Sequence, residues 1–197
     1  ITKWDLTQFC CGNIGMMHLL VSLPEKRRSS VVSTIVANNG PSARVKTLCY
    51  LMFSVPNVVI HHTVTGTCNS QATCGAIMRS MQNHHMNTNG WADIGYNFAV
   101  GGDGVVYEGR GWRVVGAHAT NWNSNSVGIA FIGDFSSVRP TAAALNTARS
   151  LISAGVSGGH IQSAYRLFGH RAVVSTACPG NALQNEISTW PRFVTRP

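Results

Sequence analysis

The sequence predicts an α/β protein, a central mixed β-sheet flanked by about three helices with a less regular N-terminal segment. Three observations carry this. Short, continuous β-branched runs stand at Val58-Val59-Ile60 and Val127 to Ile132, as in strands buried on both faces. Apolar residues recur at helical spacing in two other stretches. Gly, Asn and Pro punctuate the intervals between them.

In chain order, residues 1–34 read as an extension of uncertain fold: an apolar run from Ile14 to Leu23 gives way to Pro24, the basic run Lys26 to Arg28 and two serines. Asn38-Asn39-Gly40-Pro41 is a turn signal near the start of a single domain over residues 35–197. Val58 to Ile60 should be a strand carrying His61 and His62 at its end. Cys74, Ile77, Met78, Met81 and His85 mark a helix that stops at Asn89-Gly90, with the methionines in its core face. Tyr96 to Val100 and Val105 to Glu108, around Gly101-Gly102-Asp103-Gly104, read as a hairpin. A second helix is expected from Pro140 to Ala154, ended by Gly155 or by Gly158-Gly159, and a third from Pro179-Gly180 to about Thr189.

With 44% apolar and 11% charged residues the chain is not a disordered segment. Its formal charge of +8, with seven acidic residues in all, favours polyanionic partners. The basic residues are uneven, however: Lys3, Lys26, Arg27, Arg28, Arg44 and Lys46 precede residue 50, and only Arg79 falls between there and Arg110. A nucleic-acid binder would interleave aromatics with clustered Lys and Arg, and this pattern is absent. No apolar stretch reaches the roughly 20 residues that span a bilayer. The chain opens at Ile1 without a signal peptide, so location is inferred indirectly. Six cysteines are present. Cys68 and Cys74 enclose a loop that a disulfide could close, which suggests an oxidising, extracellular compartment; two thiols or part of a metal site is the alternative. Cys10, Cys11 and Cys49 have no pairing that sequence decides.

Three features ask for one explanation: the histidine pair His61-His62 at a strand end, Gly169-His170-Arg171, and Cys178-Pro179-Gly180. Zinc takes imidazole and thiolate, and a catalytic site keeps three protein ligands and one open position. Two histidines and a thiolate neutralise one of the two charges, leaving the ion able to acidify a bound water and polarise an amide. A buried, inert cysteine is the plainer reading of the spacing alone. Tyr96, in Asp93-Ile94-Gly95-Tyr96-Asn97-Phe98, adds a phenol at a strand start. Of the seven acidic residues none lies within the strand ends or the His170 to Cys178 segment that would build the site, so a phenol is left to handle the proton or oxyanion.

Val-Val-Ile-His-His-Thr, Gly-Trp-Ala-Asp-Ile-Gly-Tyr-Asn-Phe, Tyr-Glu-Gly-Arg-Gly-Trp, Gly-Ala-His-Ala and Gly-His-Arg with Cys-Pro-Gly follow one another in that order. On these motifs the chain, from about residue 35 onward, resembles the peptidoglycan recognition proteins, animal relatives of type-2 N-acetylmuramoyl-L-alanine amidases. The resemblance implies Zn2+ held by His61, His170 and Cys178, with Tyr96 on the attacking water or developing oxyanion and Thr176 as its partner. Non-catalytic members often replace the cysteine, so the chain resembles the catalytic branch. It implies a secreted protein of innate immunity whose partners are bacterial peptidoglycan, muropeptides and other anionic wall polymers. Cys68 and Cys74 match the family's shared disulfide. Ala92 and Ala154 stand where several short vertebrate members carry cysteine, and the segment before Cys49 matches the usual opening loosely.

The resemblance also places His118 in the substrate groove, with His62 a second candidate there, although strand alternation would turn His62 to the opposite face from His61. His84 and His85 read as ordinary helix residues. Gly90, Trp91 and Arg110 match members that prefer diaminopimelate-type peptidoglycan, Arg110 being a planar fork for the extra carboxylate. The alternative is a receptor with the same groove that binds muropeptides without cutting them. The metal ligands discriminate the two.

Overall fold

A computed structural model describes residues 48–51 and 53–197. The expected extension over 1–34, Cys10, Cys11, the Lys26 to Arg28 run and the turn at 38–41 lie outside the described residues.

The described chain forms five strands and three α-helices: β1 (Val55–His62), α1 (Gln71–Asn87), β2 (Phe98–Val100), β3 (Val106–Glu108), β4 (Ser126–Phe131), α2 (Ala142–Ser157), β5 (Ile161–Gly169) and α3 (Asn181–Ile187). The sheet order is β3-β2-β4-β1-β5. β2 and β3 are antiparallel, and the other neighbours are parallel, so the sheet is mixed as expected. Alternation along the strands divides the apolar residues into two clusters. Val58, Ile60, Phe98, Val127, Ile129 and Phe131 pack with Leu145, Ala148 and Ile152 of α2 and with Leu183 and Ile187 of α3. Ala99, Ala130 and Ile132 pack with Cys74 and Met78 of α1 and with Ile94. The methionine stripe therefore belongs to the core, as its spacing indicates.

The cysteine pair is a disulfide, with Cα atoms 5.1 Å apart, tying the segment after β1 to the first turn of α1. Ser70 and Thr73 close a reciprocal capping box at the start of α1. α2 is capped by Thr141, whose hydroxyl accepts from Ala144 N. It runs through Gly155 to Ser157, so of the two expected stops the Gly158-Gly159 pair is the one used. Gly155 has a packing reason instead: a Cβ there would lie 2.7 Å from the Trp112 ring. α3 ends at Ile187, two residues before the expected Thr189.

Three expectations change. β1 begins at Val55, so Pro56 and Asn57 belong to a central strand. Pro56 falls where the β1–β5 register breaks, between Val55 opposite Ile161 and Asn57 opposite Arg166, the kind of irregularity that admits a residue without an N–H. β5 had no counterpart in the sequence reading, because Gln162 to Arg166 is an exposed or half-exposed stretch with no apolar period. Tyr96 precedes its strand rather than starting it, since β2 begins at Phe98.

Candidate metal centre

The site lies at the C-terminal end of β1, where the parallel strands β1 and β4 and the start of the loop after β5 converge. Residue alternation turns His61, with 1% of its surface exposed, to the face of its β4 partner Ala130. The small side chains Ala99 and Ala130 and the bare Gly128 leave that face room for imidazoles. His170 opens a single 3-10 turn directly after β5, and Cys178 follows it on a tight return. That return is held by Arg171, whose N–H donates to Cys178 O at 2.9 Å and whose guanidinium bonds Asn181 Oδ1 and Ala177 O.

His61, His170 and Cys178 each present a ligand atom within 4.8 Å of the others'. Nδ1 of His61 is 3.9 Å from Cys178 Sγ, and the His61 and His170 ring centroids are 4.3 Å apart. His170 Nε2 is a buried polar atom without a hydrogen-bond partner. Such a group costs free energy unless something occupies its lone pair. Two imidazoles and a thiol brought this close are a donor set a zinc ion fits.

The electrostatics agree with ligation. Burial first, then His118, His170 and His62, holds His61 well below the ordinary histidine range. Burial and then His62 push His170 down to about 4. Both rings are neutral at physiological pH, the form a metal requires. The Cys178 thiol is pushed up to about 11 by burial, against the opposing pull of the His62 N–H, which points at Sγ from 3.4 Å, and of Arg171. A divalent cation is the natural agent to displace that proton.

Around these atoms lies a cavity of about 230 Å³ lined by His85, Trp91, Tyr96, His118 and Thr176 among others. No lining residue is acidic. Tyr96 stands with its ring centroid 5.4 Å from that of His61, and burial followed by Cys178 raises its phenol above the usual range. It stays protonated and can donate. Thr176 Oγ1 accepts from Cys178 N at 3.2 Å, which leaves its own O–H free to point elsewhere.

The remaining expected residues separate. His62 borders the cavity, but its ring turns to the α2 side, where Nδ1 accepts from Phe135 N at 3.2 Å and lies 3.5 Å from Asp134. Gly90 has φ 72°, the left-handed turn after α1 that sends Trp91 back so that its ring sits 4.8 Å from His85. Arg110 gives three of its donors to the carbonyls of Ile94 (2.7 Å), Val115 (2.8 Å) and Asp93 (3.2 Å). A guanidinium has about five, so two remain. His118 is 8% exposed and lines the cavity beside His61.

His85 was read as an ordinary helix residue, and the structure corrects this. It lines the cavity and its Nδ1 accepts from Gly95 N at 3.0 Å. Its place in the last turn of α1, just before Gly90-Trp91, was the available signal. Asn97, Asn123 and Arg171 were also passed over, although Arg171 sits inside the Gly-His-Arg motif.

A family model described as N-acetylmuramoyl-L-alanine amidase matches residues 53–181. Peptidoglycan-recognition protein SC2 of Drosophila melanogaster is 52% identical over 156 residues, 78% of this chain and 83% of that one. The chain belongs to the peptidoglycan recognition protein family. Among solved structures, peptidoglycan recognition protein-LE in complex with tracheal cytotoxin, a monomeric diaminopimelic acid-type peptidoglycan, is 47% identical at a TM-score of 0.75, covering 76% of this chain and 88% of that chain. Bumblebee PGRP-SA is 44% identical at a TM-score of 0.76, covering 79% and 93%. Peptidoglycan recognition proteins thus share both the sequence motifs and the mixed sheet found here. No helix among the described residues is long and apolar enough to cross a membrane.

Proposed function

We propose that this peptidoglycan recognition protein is a secreted, zinc-dependent N-acetylmuramoyl-L-alanine amidase that binds bacterial peptidoglycan and hydrolyses the amide between the muramic acid lactyl group and the first L-Ala of the stem peptide. The convergence of one ligand atom each from His61, His170 and Cys178 within 4.8 Å of one another carries this reading.

These three residues would hold zinc, which when bound supplies a Lewis acid for the amide carbonyl and a water acidic enough to attack at neutral pH. The protein's own groups do the rest. His61 and His170 present neutral rings, and the His62 N–H and Arg171 favour the thiolate of Cys178. Tyr96, protonated at neutral pH, donates to the amide oxygen as it gains charge, and the dry wall around it strengthens that bond. Thr176 offers a second hydroxyl at the rim. With no carboxylate in the lining, there is no glutamate to act as general base. The basic surface favours anionic wall polymers as further partners.

A preference for diaminopimelate-type peptidoglycan is part of the proposal. The two uncommitted donors of Arg110 and the neighbouring Trp91 support it, as does the tracheal cytotoxin bound by the -LE relative.

Zinc content and release of free stem peptide from peptidoglycan test the main reading. The purified chain should hold one zinc and release peptide, and Cys178→Ser should lose both while keeping most wall binding. A chain that binds muropeptides but holds no zinc and cuts nothing would be a receptor.

A further inference from the structure

His118 supplies no ligand atom to the metal cluster, yet its Nδ1 stands 3.0 Å from Nε2 of His61, with the two rings edge to face at 84°. The contact is built from both sides. A Cβ at Gly128, inside β4, would fall 2.4 Å from His118 Cγ, and one at Gly116 would fall 2.4 Å from its Cδ2. A glycine in a strand interior sacrifices stability and marks a close approach. Gly128 is such a position, and together with the loop residue Gly116 it makes the slot that admits the ring. The backbone is pinned as well, because the N–H groups of His118 and Ala119 both donate to Asn123 Oδ1 at 2.8 Å.

The proton positions can be read from the far end of this chain of contacts. Ser126 Oγ donates to Trp122 O at 2.7 Å, since a carbonyl only accepts, and its oxygen keeps lone pairs to spare. His118 Nε2 lies 3.5 Å from that oxygen, the long limit of a hydrogen bond, and the tautomer that uses this contact carries its proton on Nε2. A neutral imidazole has one N–H. In that tautomer His118 Nδ1 is an acceptor, 3.0 Å from Nε2 of His61, and takes its Nε2–H. The bare nitrogen of His61 is then Nδ1, the atom that faces Cys178 Sγ.

We infer that His118 is a positioning residue that locks His61 in the Nε2–H tautomer with Nδ1 turned into the metal cluster. The inference rests on the zinc reading above. It gives His118, which also lines the cavity, a role in metal capture. Hydrogen-bond partners of metal-bound histidines are worth roughly 10- to 100-fold in metal affinity.

The test is zinc affinity of the full chain by competition with a chelating indicator, with muropeptide affinity measured on zinc-free protein. His118→Leu fills the slot but accepts nothing, and should weaken zinc about 10- to 100-fold. His118→Asn places an oxygen near the former Nδ1, and should recover most of the loss. Parental zinc affinity in His118→Leu overturns the positioning role, whatever the change in muropeptide affinity of the zinc-free protein. Asn123→Ala, which frees the loop and keeps the ring, is the second variant should His118→Leu not fold, and undiminished zinc affinity there overturns the role. A parent that holds no zinc removes the amidase reading and the positioning role together, whereas failure in the variants alone leaves the amidase reading standing.

Discussion

Asn97, fully buried beside Tyr96, offers a quantitative test of how the site is held. Its Oδ1 accepts from Gly128 N at 2.9 Å, and its Nδ2 donates to Gly111 O and Val114 O, both at 2.9 Å. One side chain thus joins the segment bearing Tyr96, the strand bearing Gly128 and the loop after Arg110. Asn97→Leu keeps the volume and removes all three bonds. Val114 is partly exposed, and its carbonyl can turn to water, but Gly128 and Gly111 are buried and would be left unpaired. At about 1–3 kcal/mol for each stranded group, and about 1 kcal/mol for the bond that water replaces, the loss is about 3–7 kcal/mol. In a chain of this size that lowers the thermal midpoint by roughly 6–28 °C. Urea unfolding of parent and variant, with equal m-values, measures it directly. A loss below about 1 kcal/mol would show that water enters and replaces the amide, and would refute the view that this residue anchors the Tyr96 segment.

Three further outcomes are expected. Replacing Cys68 and Cys74 by alanine opens a loop closed across a separation of six residues and should cost about 2 kcal/mol, read from the unfolding midpoint under non-reducing conditions; an unchanged midpoint would contradict it. Burial would raise Glu186, but the Trp190 N–H, Arg139 and Arg149 outweigh it and hold its carboxyl below the ordinary value, so its contribution is present above the ordinary glutamate pKa and lost as pH falls below that value through the folded one. The stability gap between parent and Glu186→Gln should accordingly close on acidification through that window, and a gap independent of pH would refute the ion-pair account. Native protein should prefer diaminopimelate-type over lysine-type muropeptides by about tenfold to a hundredfold, and Arg110→Ala should erase the ratio, as titration calorimetry would show; equal affinities in the native chain, or an unchanged ratio in the variant, would remove Arg110 from specificity.

The sequence by itself determined the fold class, the burial of strands β1 and β4 and the helices, and its motifs singled out His61, His170 and Cys178, which the fold brings together. The elements were legible because their signals are local: β-branched runs for doubly covered strands and 3.6-residue spacing for α1 and α2. Tertiary structure decided what depends on partners distant in the chain. β5 is a strand because β1 offers it a parallel ladder, not because Gln162 to Arg166 alternates. Gly155 sits mid-helix because Trp112 comes from 43 residues upstream to use the space. The sequence offers Arg110 as a fork for a carboxylate, and only the fold shows that three carbonyls from two loops already take three of its donors. His118 lines the cavity, and what puts its Nδ1 against His61, 57 residues earlier, is the slot between Gly116 and Gly128. Side-chain chemistry is written residue by residue. Which lone pair meets which proton depends on distances that only the packed chain sets.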